Sequence, residues 1–356
     1  MAIWASSAYA TNVAALAFNH VIPGVTSIVR KKNGFLYHIL GKKEKGSLPF
    51  GGPKFERLSV ISGVKHEITL RGVIPTISTV DDGASGETSL ATFNYAANTY
   101  GAAEFALSHY ADNQLIPESE WDRIKKGDAK QMDNFVKLKS EALMEGWEQT
   151  IGVAINSKDA QARTTLGGWC TAISDGQNAS SYDESATAYK VYGTIDRSDS
   201  GNANFRAYVN RGTGTLTFKK IADVRNQLII AGGMPSLGLA NATEYGLVEQ
   251  LVQGQAIITN SADMQEFGGA WFSYNGIKFV LDKHVLPDVG ATNGQIALIT
   301  PESWYFVMSD DGFNVEVNAP KDARFIQASG FIHLKAWCGL ICRAPSHQGK
   351  LVGITG

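Results

Sequence analysis

The sequence has no excess of either charge. Its 356 residues include 32 basic and 34 acidic side chains, which leaves a formal net charge of −2. Non-specific binding to nucleic acid depends on surplus Lys and Arg that displace counterions, so this balance excludes a general polyanion binder. A hydrophobic fraction of 44% is typical of a chain that folds around a sizeable core, and it argues against a disordered protein.

Cysteine is scarce and unpatterned. The three cysteines, Cys170, Cys338 and Cys342, include no Cys-x-x-Cys pair and have no matching histidine cluster. We therefore expect neither a disulfide framework nor a structural zinc site. Cys338 and Cys342 alternate in phase with Leu334 and Leu340, which predicts that both pack in a core.

The N-terminus lacks the basic head and apolar stretch of a signal peptide. The longest apolar run near it, Val13 to Phe18, is far shorter than the roughly 20 residues of a membrane span. We expect a soluble protein made in the cytoplasm, with no membrane partner. Glycine is abundant, at 37 residues, and only 19% of residues are charged, which favours a loop-rich, β-containing chain over a helical bundle.

Enzyme motifs are missing as well. The sequence contains no phosphate loop, no Gly-x-Gly-x-x-Gly that opens a helix, and no His-Glu-x-x-His. The pairs Asp81-Asp82 and Asp310-Asp311 each precede glycine, a composition that predicts tight turns. We predict no catalytic, cofactor-binding or metal-ligating residue and no enzyme activity, although an acid–base pair assembled from distant residues stays open.

The first 55 residues form an irregular and basic segment. Breakers recur at Pro23-Gly24, Asn33-Gly34 and Gly51-Gly52-Pro53, so we predict an arm without a core of its own. Basic residues outnumber the two acidic residues, Glu44 and Glu56, in the stretch that ends at Arg57. The basic residues of that stretch are Arg30, Lys31, Lys32, Lys42, Lys43, Lys45, Lys54 and Arg57. Such a run is either a solvated surface or an arm that lies against a neighbouring subunit or a polyanion.

A long β-hairpin is predicted next. From Arg57 to Arg71 apolar and polar residues alternate, interrupted at Ile61 and Gly63, which is typical of a two-faced strand. A polar tip at Asp81 to Gly86 separates it from a second β-like stretch, about Thr92 to Tyr110. Because strands of this length exceed the usual 5 or 6 residues, the hairpin would project from its domain and need a partner surface.

The strongest local pattern predicts an amphipathic helix from Ala129 to Ser157. One apolar stripe recurs at spacings of three and four residues, through Met132, Phe135, Val136, Leu143, Trp147, Ile151 and Ala154. Asp128 is the predicted N-cap, and a rise of 1.5 Å per residue gives a length of about 40 Å. A helix of that size suits a structural spine better than a compact enzyme core.

The rest of the chain reads as mixed α/β. A helix is predicted from Phe218 to Ala231, ended by Gly232-Gly233 and Pro235, and Asn241 is expected to cap another that runs to about Gln253. Three further segments read as strands: Gly276 to Asp282, Phe331 to Ile341 and Leu351 to Ile354.

In this order of elements, the chain resembles the major capsid protein of tailed bacteriophages, which has the Hong Kong 97 fold. Thr92 to Tyr100 is similar to the family's strand that returns from the hairpin. Gly276 to Asp282, followed by Leu286-Pro287, is similar to its apolar strand with an Asp and Leu-Pro sequel. The resemblance implies an α+β fold with an N-arm, an extended E-loop β-hairpin, a long spine helix in a peripheral domain and a mixed α/β axial domain.

The implied domains are an N-terminal arm at 1–55, an E-loop hairpin at 56–110 and an axial domain at 159–300. A peripheral domain would combine 111–158, which holds the spine helix, with the C-terminal strands of 301–356. The implied function is a structural subunit that self-assembles into pentamers and hexamers of an icosahedral capsid around packaged double-stranded DNA. It would be assembled in the host cytoplasm and reside in the virion.

The implied partners are copies of the chain itself, a scaffolding protein, a portal and a decoration protein, with packaged DNA touching the inner face non-specifically. No cofactor is implied. The expected inter-subunit contacts are Arg30, Lys31, Lys32, Arg57, Asp81 and Asp82. Covalent cross-linking between subunits, known in the family, is not expected, because the hairpin tip holds no lysine between Arg71 and Lys125.

Two alternatives stay open. An encapsulin-type nanocompartment shares the fold but encloses a protein cargo. A soluble α/β hydrolase or carbohydrate-binding protein would instead be a monomer or small oligomer, with a pocket that gathers convergent polar groups.

Overall fold

The computed structural model describes Phe35 and residues 58–61, 65–71, 100–117, 120, 129–158, 164–177, 189–211, 213–253, 272–286, 294–318 and 329–355. The strands, in chain order, are β1 Leu58–Ile61, β2 Lys65–Arg71, β3 Tyr100–Ala106, β4 Ser108–Pro117, β5 Val191–Tyr192, β6 Ile195–Asp196, β7 Tyr208–Asn210, β8 Gly214–Thr215, β9 Leu237–Ala240, β10 Phe272–Tyr274, β11 Ile277–Leu281, β12 Gly294–Ile299, β13 Trp304–Asn318, β14 Ser329–Cys342 and β15 Gly349–Thr355. The α-helices are α1 Ala129–Ile155, α2 Trp169–Ala172, α3 Phe218–Ile230 and α4 Ala242–Gln253. Short 3₁₀ segments lie at Ser200–Phe205, Pro301–Ser303 and Pro345–His347.

The first sheet has the strand order β1-β13-β14-β4. Its centre is the antiparallel pair of β13 and β14, in which Trp304 lies opposite Cys342 and Phe306 opposite Leu340. These side chains and that of Cys338 are buried, because successive strand residues alternate between the two faces of a sheet. The predicted strand Phe331 to Ile341 and the predicted core positions of Cys338 and Cys342 are confirmed.

Asp310-Asp311 does not form the predicted tight turn between elements. Both residues lie inside β13, where the register against β14 shifts between Met308 and Phe313. Met308 lies opposite Cys338 and Phe313 opposite Ala336, so β13 contains extra residues at this point. Asp, Asp and Gly are residues that tolerate irregular backbone, and here that tolerance serves a bulge within a strand.

The second sheet runs β10-β11-β9-β12-β15-β7, with β8 also beside β15. All six residues of β12 are buried, as are all four of β9. On β12, Ile296 and Leu298 pack in one hydrophobic cluster with α3 and α4, whereas Ala297 and Ile299 pack in the cluster that contains α1 and the first sheet. The second sheet is therefore covered on both faces, which explains its continuous apolar strands.

The C-terminal strands lie in two different sheets. β13 and β14 lie in the first sheet, whereas β15 pairs with β12 and β7 in the second sheet. The stretch Arg57 to Arg71, predicted as one strand, contains two strands: β1 pairs with β13 in the first sheet, and β2 pairs with β3 in a separate sheet. The interruption of the alternating pattern begins at Ile61, the last residue of β1, and Gly63 follows it before β2 begins. The division into four domains, the peripheral one in two segments, stays a prediction.

The sequence signals that predict the end of α3 and the start of α4 are both confirmed. Beyond α3, Gly233 donates its N–H to the Leu228 carbonyl (2.8 Å) and Gly232 donates to the Ile229 carbonyl (3.0 Å). Gly232 has a φ of 92°, the left-handed conformation that glycine adopts at low cost, so this end is a Schellman motif. At the start of α4, Asn241 Oδ1 accepts hydrogen bonds from the N–H groups of Thr243 (2.9 Å) and Glu244 (3.1 Å), which confirms the predicted cap.

The predicted spine helix is confirmed as α1, two residues shorter than expected at its C-terminal end. Leu143, Trp147 and Ile151 of the predicted stripe are buried, and Ile155 extends that buried face by one turn. Asp128 lies outside the described residues, so its predicted capping role stays untested. Within the described part of the chain, no helix is long and apolar enough to cross a membrane.

Candidate assembly site at the base of the hairpin

The described part of the predicted hairpin is its base. Strands β2 and β3 pair antiparallel over their full length, from Lys65 opposite Ala106 to Arg71 opposite Tyr100. The predicted pairing of the alternating stretch with the second β-like stretch is confirmed there. Residues 72–99, which include the predicted tip, lie outside the described residues. After Ala106 the chain enters β4, which pairs with β14, so the base of the hairpin adjoins the first sheet.

Phe105 anchors the base of the hairpin in the core. Its buried ring packs edge-on against Tyr192, with ring centroids 4.9 Å apart, and Tyr192 in turn lies 5.7 Å from Phe205. Edge-to-face pairs at such distances are favourable beyond their burial. The Tyr192 hydroxyl accepts a hydrogen bond from the Cys342 N–H (2.8 Å), and burial raises the pKa of Tyr192, so this hydroxyl stays neutral. Tyr192 therefore connects the hairpin base to the end of β14.

A tight turn between β5 and β6 packs against Phe105. Gly193 and Thr194 occupy its two central positions, with φ values of 58° and 66°. Two successive positive φ values define the type I′ turn that matches the twist of a hairpin. The N–H of Glu104 on β3 donates to the Gly193 carbonyl (3.1 Å) and contacts Thr194 Oγ1 (3.4 Å). The turn thus accepts one backbone hydrogen bond from the base of the hairpin.

Arg197 holds this turn in place from inside the core. Its fully buried guanidinium donates to the carbonyls at the end of α2, namely those of Thr171 (2.6 Å), Ala172 (2.9 Å) and Ser174 (2.8 Å). Its Cζ lies 4.6 Å from the centroid of the Tyr192 ring. A buried cation is tolerated when hydrogen bonds and an aromatic face replace water, as they do here. Arg206 donates to the Arg197 carbonyl and continues this network to the surface.

The C-terminal end of α1 forms a second joint, with the second sheet. His284 lies directly on Gly152, since a Cβ at Gly152 would come within 2.7 Å of the imidazole Cδ2. Asn156 Nδ2 donates to the Gly152 carbonyl (2.9 Å), and its Oδ1 accepts from Trp169 Nε1 (2.6 Å). Buried Asp282 accepts from the His284 N–H (2.9 Å), and burial raises the pKa of its carboxyl. The Asn156 side chain also hydrogen-bonds Asp282, so the residue after the spine helix is joined to the residue that follows β11.

An open groove of about 410 Å³ lies beside α1, between Tyr110 and Val153. Gln149, Thr150, Thr165 and Leu166 also line it, and the Tyr110 hydroxyl accepts a hydrogen bond from the Leu166 N–H (3.0 Å). None of the described residues that line this groove carries a carboxylate, an imidazole or a basic group. Within the described ranges there is also no group of three or more His, Cys, Asp or Glu that could hold a metal ion.

One residue of the predicted arm, Phe35, lies in the core of the described structure. Phe35 is helical and fully buried, and its ring packs edge-on against Trp304 with centroids 5.1 Å apart. It belongs to the same hydrophobic cluster as α1 and β14. The sequence analysis predicted an arm without a core of its own, and Phe35 packs instead in a core built by the rest of the chain. A single large aromatic residue without periodic neighbours gives no sequence signal of this kind.

All six predicted inter-subunit contact residues lie outside the described residues: Arg30, Lys31, Lys32, Arg57, Asp81 and Asp82. Their roles stay predictions. The sequence analysis missed Tyr192, Gly193 and Arg197, which position the hairpin base. The first two had a detectable signal, because Val191-Tyr192-Gly193-Thr194-Ile195 is a two-residue turn between β-branched and aromatic residues. Arg197 had none, since a buried arginine looks like a surface one in a sequence.

No protein-family model matches the chain, and no curated protein matches it by sequence. Solved structures do. A chain of the cyanophage A-1(L) capsid asymmetric unit superimposes with a TM-score of 0.56 and 11% identity, over 84% of this chain and 91% of that one. The SrpI encapsulin of Synechococcus elongatus PCC 7942 gives 0.51 and 11%, over 88% and 92%. A capsid chain of a native GTA particle gives 0.50 and 12%, over 89% and 95%.

These similarities define a shell-protein class of fold, an α+β architecture shared by phage capsids and an encapsulin. The fold is the Hong Kong 97 fold, and the resemblance to the tailed-phage major capsid protein is confirmed at the level of the fold.

Proposed function

We propose that this chain is a structural, non-catalytic subunit that self-assembles into pentamers and hexamers of an icosahedral viral capsid. The observation that carries the proposal is the likeness to the cyanophage capsid chain over 84% of this sequence. The hairpin base adds a physical reason. Phe105, Tyr192 and Arg197 fix the start of a projecting element to a rigid core, which lets that element bind a neighbouring subunit with little loss of conformational entropy.

In this proposal, the shell encloses packaged double-stranded DNA, forms in the host cytoplasm and becomes part of the virion. A scaffolding protein, a portal and a decoration protein would be further partners. The basic residues Arg30, Lys31, Lys32 and Arg57 would contact acidic surfaces of neighbouring subunits, and the wall would touch DNA without sequence specificity. Asp81 and Asp82, at the hairpin tip, would contact a neighbouring subunit.

The test is expression of the chain alone and together with a candidate scaffolding protein, followed by gradient sedimentation and negative-stain microscopy. Closed shells are the expected product. A variant that lacks residues 81–86 should stay folded but form no shells, and shells that close without this tip would refute the role of the hairpin.

The second candidate is a nanocompartment shell, supported by the encapsulin likeness at a similar TM-score. Both candidates form shells, so the contents decide between them. Particles isolated from the native source would contain nuclease-protected double-stranded DNA if the chain is a viral capsid subunit. A protein cargo without DNA would instead favour the nanocompartment.

A further inference from the structure

One buried carboxyl group joins the C-terminal end of α1 to the edge of the second sheet. Asp282 is 2% exposed, and its backbone N–H donates to the Ala240 carbonyl at the end of β9 (3.0 Å). Its carboxyl group accepts hydrogen bonds from the His284 N–H (2.9 Å) and from the side chain of Asn156, the residue after α1. We refer to Gly152, Asn156, Asp282 and His284 as the α1 joint.

The helix side of the α1 joint is closely packed. A Cβ at Gly152 would lie 2.7 Å from His284 Cδ2 and 2.8 Å from its Nε2, so the imidazole reaches the helix only because Gly152 has no side chain. Asn156 donates to the Gly152 carbonyl (2.9 Å) and accepts from Trp169 Nε1 (2.6 Å). The amide therefore cannot turn to follow a change at Asp282 without the loss of one of these bonds.

The polar groups around Asp282 do not balance a negative charge well. Within the described residues, the charges that act on it are those of His284 and of the exposed Lys283, both from its own segment. β9 presents a backbone carbonyl, α1 presents the neutral Asn156 amide, and α2 contributes the buried Cys170 thiol, which contacts the Asn156 carbonyl (3.7 Å). A buried carboxylate in such surroundings costs more than a buried carboxylic acid.

We propose that the α1 joint is a proton-controlled latch, which holds α1 firmly to the second sheet when Asp282 is protonated and loosens when that carboxyl group ionises. The neutral acid still accepts hydrogen bonds but carries no buried charge. After ionisation, local opening lets water reach the carboxylate, so the open form gains population. Trp147 packs on Tyr110 of β4, so the helix stays on the first sheet while its end is released. The latch belongs to the single subunit and goes beyond the proposed shell function.

Proton linkage gives the direction of the effect. In the closed joint, burial raises the pKa of Asp282 above 3.8, the ordinary value that a solvated carboxyl group regains on opening. The closed form is therefore most favoured below pH 3.8 and becomes less favoured as the pH rises through the raised pKa. Because one proton is involved, the opening equilibrium changes by up to about tenfold per pH unit in this interval.

Amide hydrogen exchange at the end of α1, corrected for the intrinsic pH dependence of exchange, measures this opening in the dilute purified chain. Protection there should fall as the pH rises in the wild type and stay level in Asp282→Asn, which is neutral at every pH. Glu244→Gln is the matched control, because Glu244 is also buried with a raised pKa but lies on α4, on the other face of the second sheet. It should keep the wild-type fall, and so should His284→Gln.

Wild-type protection that does not change with pH would overturn the inference, and this result needs no variant, so it counts even if Asp282→Asn fails to fold. A fall that persists in Asp282→Asn, or disappears in Glu244→Gln, would overturn it because the sensor would lie elsewhere. A fall lost in His284→Gln but kept in Asp282→Asn would assign the switch to the imidazole instead. A chain that shows the latch but never assembles would contradict the proposed function alone.

Discussion

Gly193 lies against the ring of Phe105 so closely that a Cβ at this glycine would sit 2.7 Å from both Cε atoms. Gly193 also has a φ of 58°, which L-residues rarely adopt. These two constraints coincide where the turn between β5 and β6 supports the hairpin. Phe105 can pack on this turn only because Gly193 has no side chain. Any side chain at position 193 must displace the Phe105 ring, which anchors the base of the hairpin.

Gly193→Ala should destabilise the subunit by about 2–5 kcal/mol, the sum of a positive-φ cost and an overpacking cost. Gly214→Ala is a matched control, because Gly214 also has a φ of 58° but nothing within 4 Å of its Cβ position. It should lose only about 1–2 kcal/mol, for the backbone alone. Urea unfolding measures both. Equal losses would mean that the Phe105 contact does not matter.

Replacing Thr194, the other central residue of this turn, with glycine should stabilise the subunit. A β-branched residue at a φ of 66° is strained, so Thr194→Gly should raise the free energy of unfolding by about 1 kcal/mol. The gain would be reduced by the loss of the Oγ1 contact to the Glu104 N–H, which at 3.4 Å is long. The same urea experiment measures this change, and a loss of stability would show that the turn is relaxed with threonine.

Much of the fold could be predicted from the sequence because local signals agree with the tertiary structure. Gly232-Gly233 and Asn241 mark helix ends through backbone chemistry that is complete within a few residues. The stripe through Leu143, Trp147 and Ile151 gives the helix by periodicity. The sequence could not show that β15 lies in the second sheet and not beside β14 in the first sheet, because strand pairing depends on long-range packing that short patterns do not encode.

The candidate site was less predictable for the same reason. Phe35 and Trp304 are far apart in sequence, and neither belongs to a pattern that announces their contact. Arg197 is buried because the end of α2 presents carbonyl groups to it. Tyr192 and Gly193 carried a local sequence signal as part of a two-residue turn, but the contact of Gly193 with Phe105 again required the folded chain.

Trp147→Ala should destabilise the subunit by about 3–5 kcal/mol, since the buried indole on α1 packs against Tyr110 at a centroid distance of 6.1 Å. Leu138→Ala on the same helix is the control and should change stability by less than about 0.5 kcal/mol, because Leu138 is exposed. Chemical unfolding of the unassembled subunit compares the two. A small effect at Trp147 would mean that α1 does not pack through its apolar stripe.

Two aspartates should give opposite pH dependences. Burial raises the pKa of Asp282 above its ordinary 3.8, so wild-type stability should fall relative to Asp282→Asn as the pH rises through the interval above 3.8. For Asp175 burial alone would raise the pKa, but hydrogen bonds from Arg211 at 2.6 Å and from the Gln177 N–H hold it below 3.8.

Relative to Asp175→Asn, wild-type stability should therefore be complete above pH 3.8 and decline as the pH falls through the lowered pKa. Denaturation curves between acidic and neutral pH, recorded for both variants, separate the two trends. Trends of the same sign would show that one of these carboxyl environments is misassigned.

We propose that this subunit is completed only by copies of itself. Light scattering coupled to size-exclusion chromatography of the purified chain, alone and with a candidate scaffolding protein, measures this directly. Rings or shells whose masses are multiples of the 38.3 kDa chain are the expected result. A single 38.3 kDa species at every concentration and salt condition, with scaffolding protein present, would contradict it.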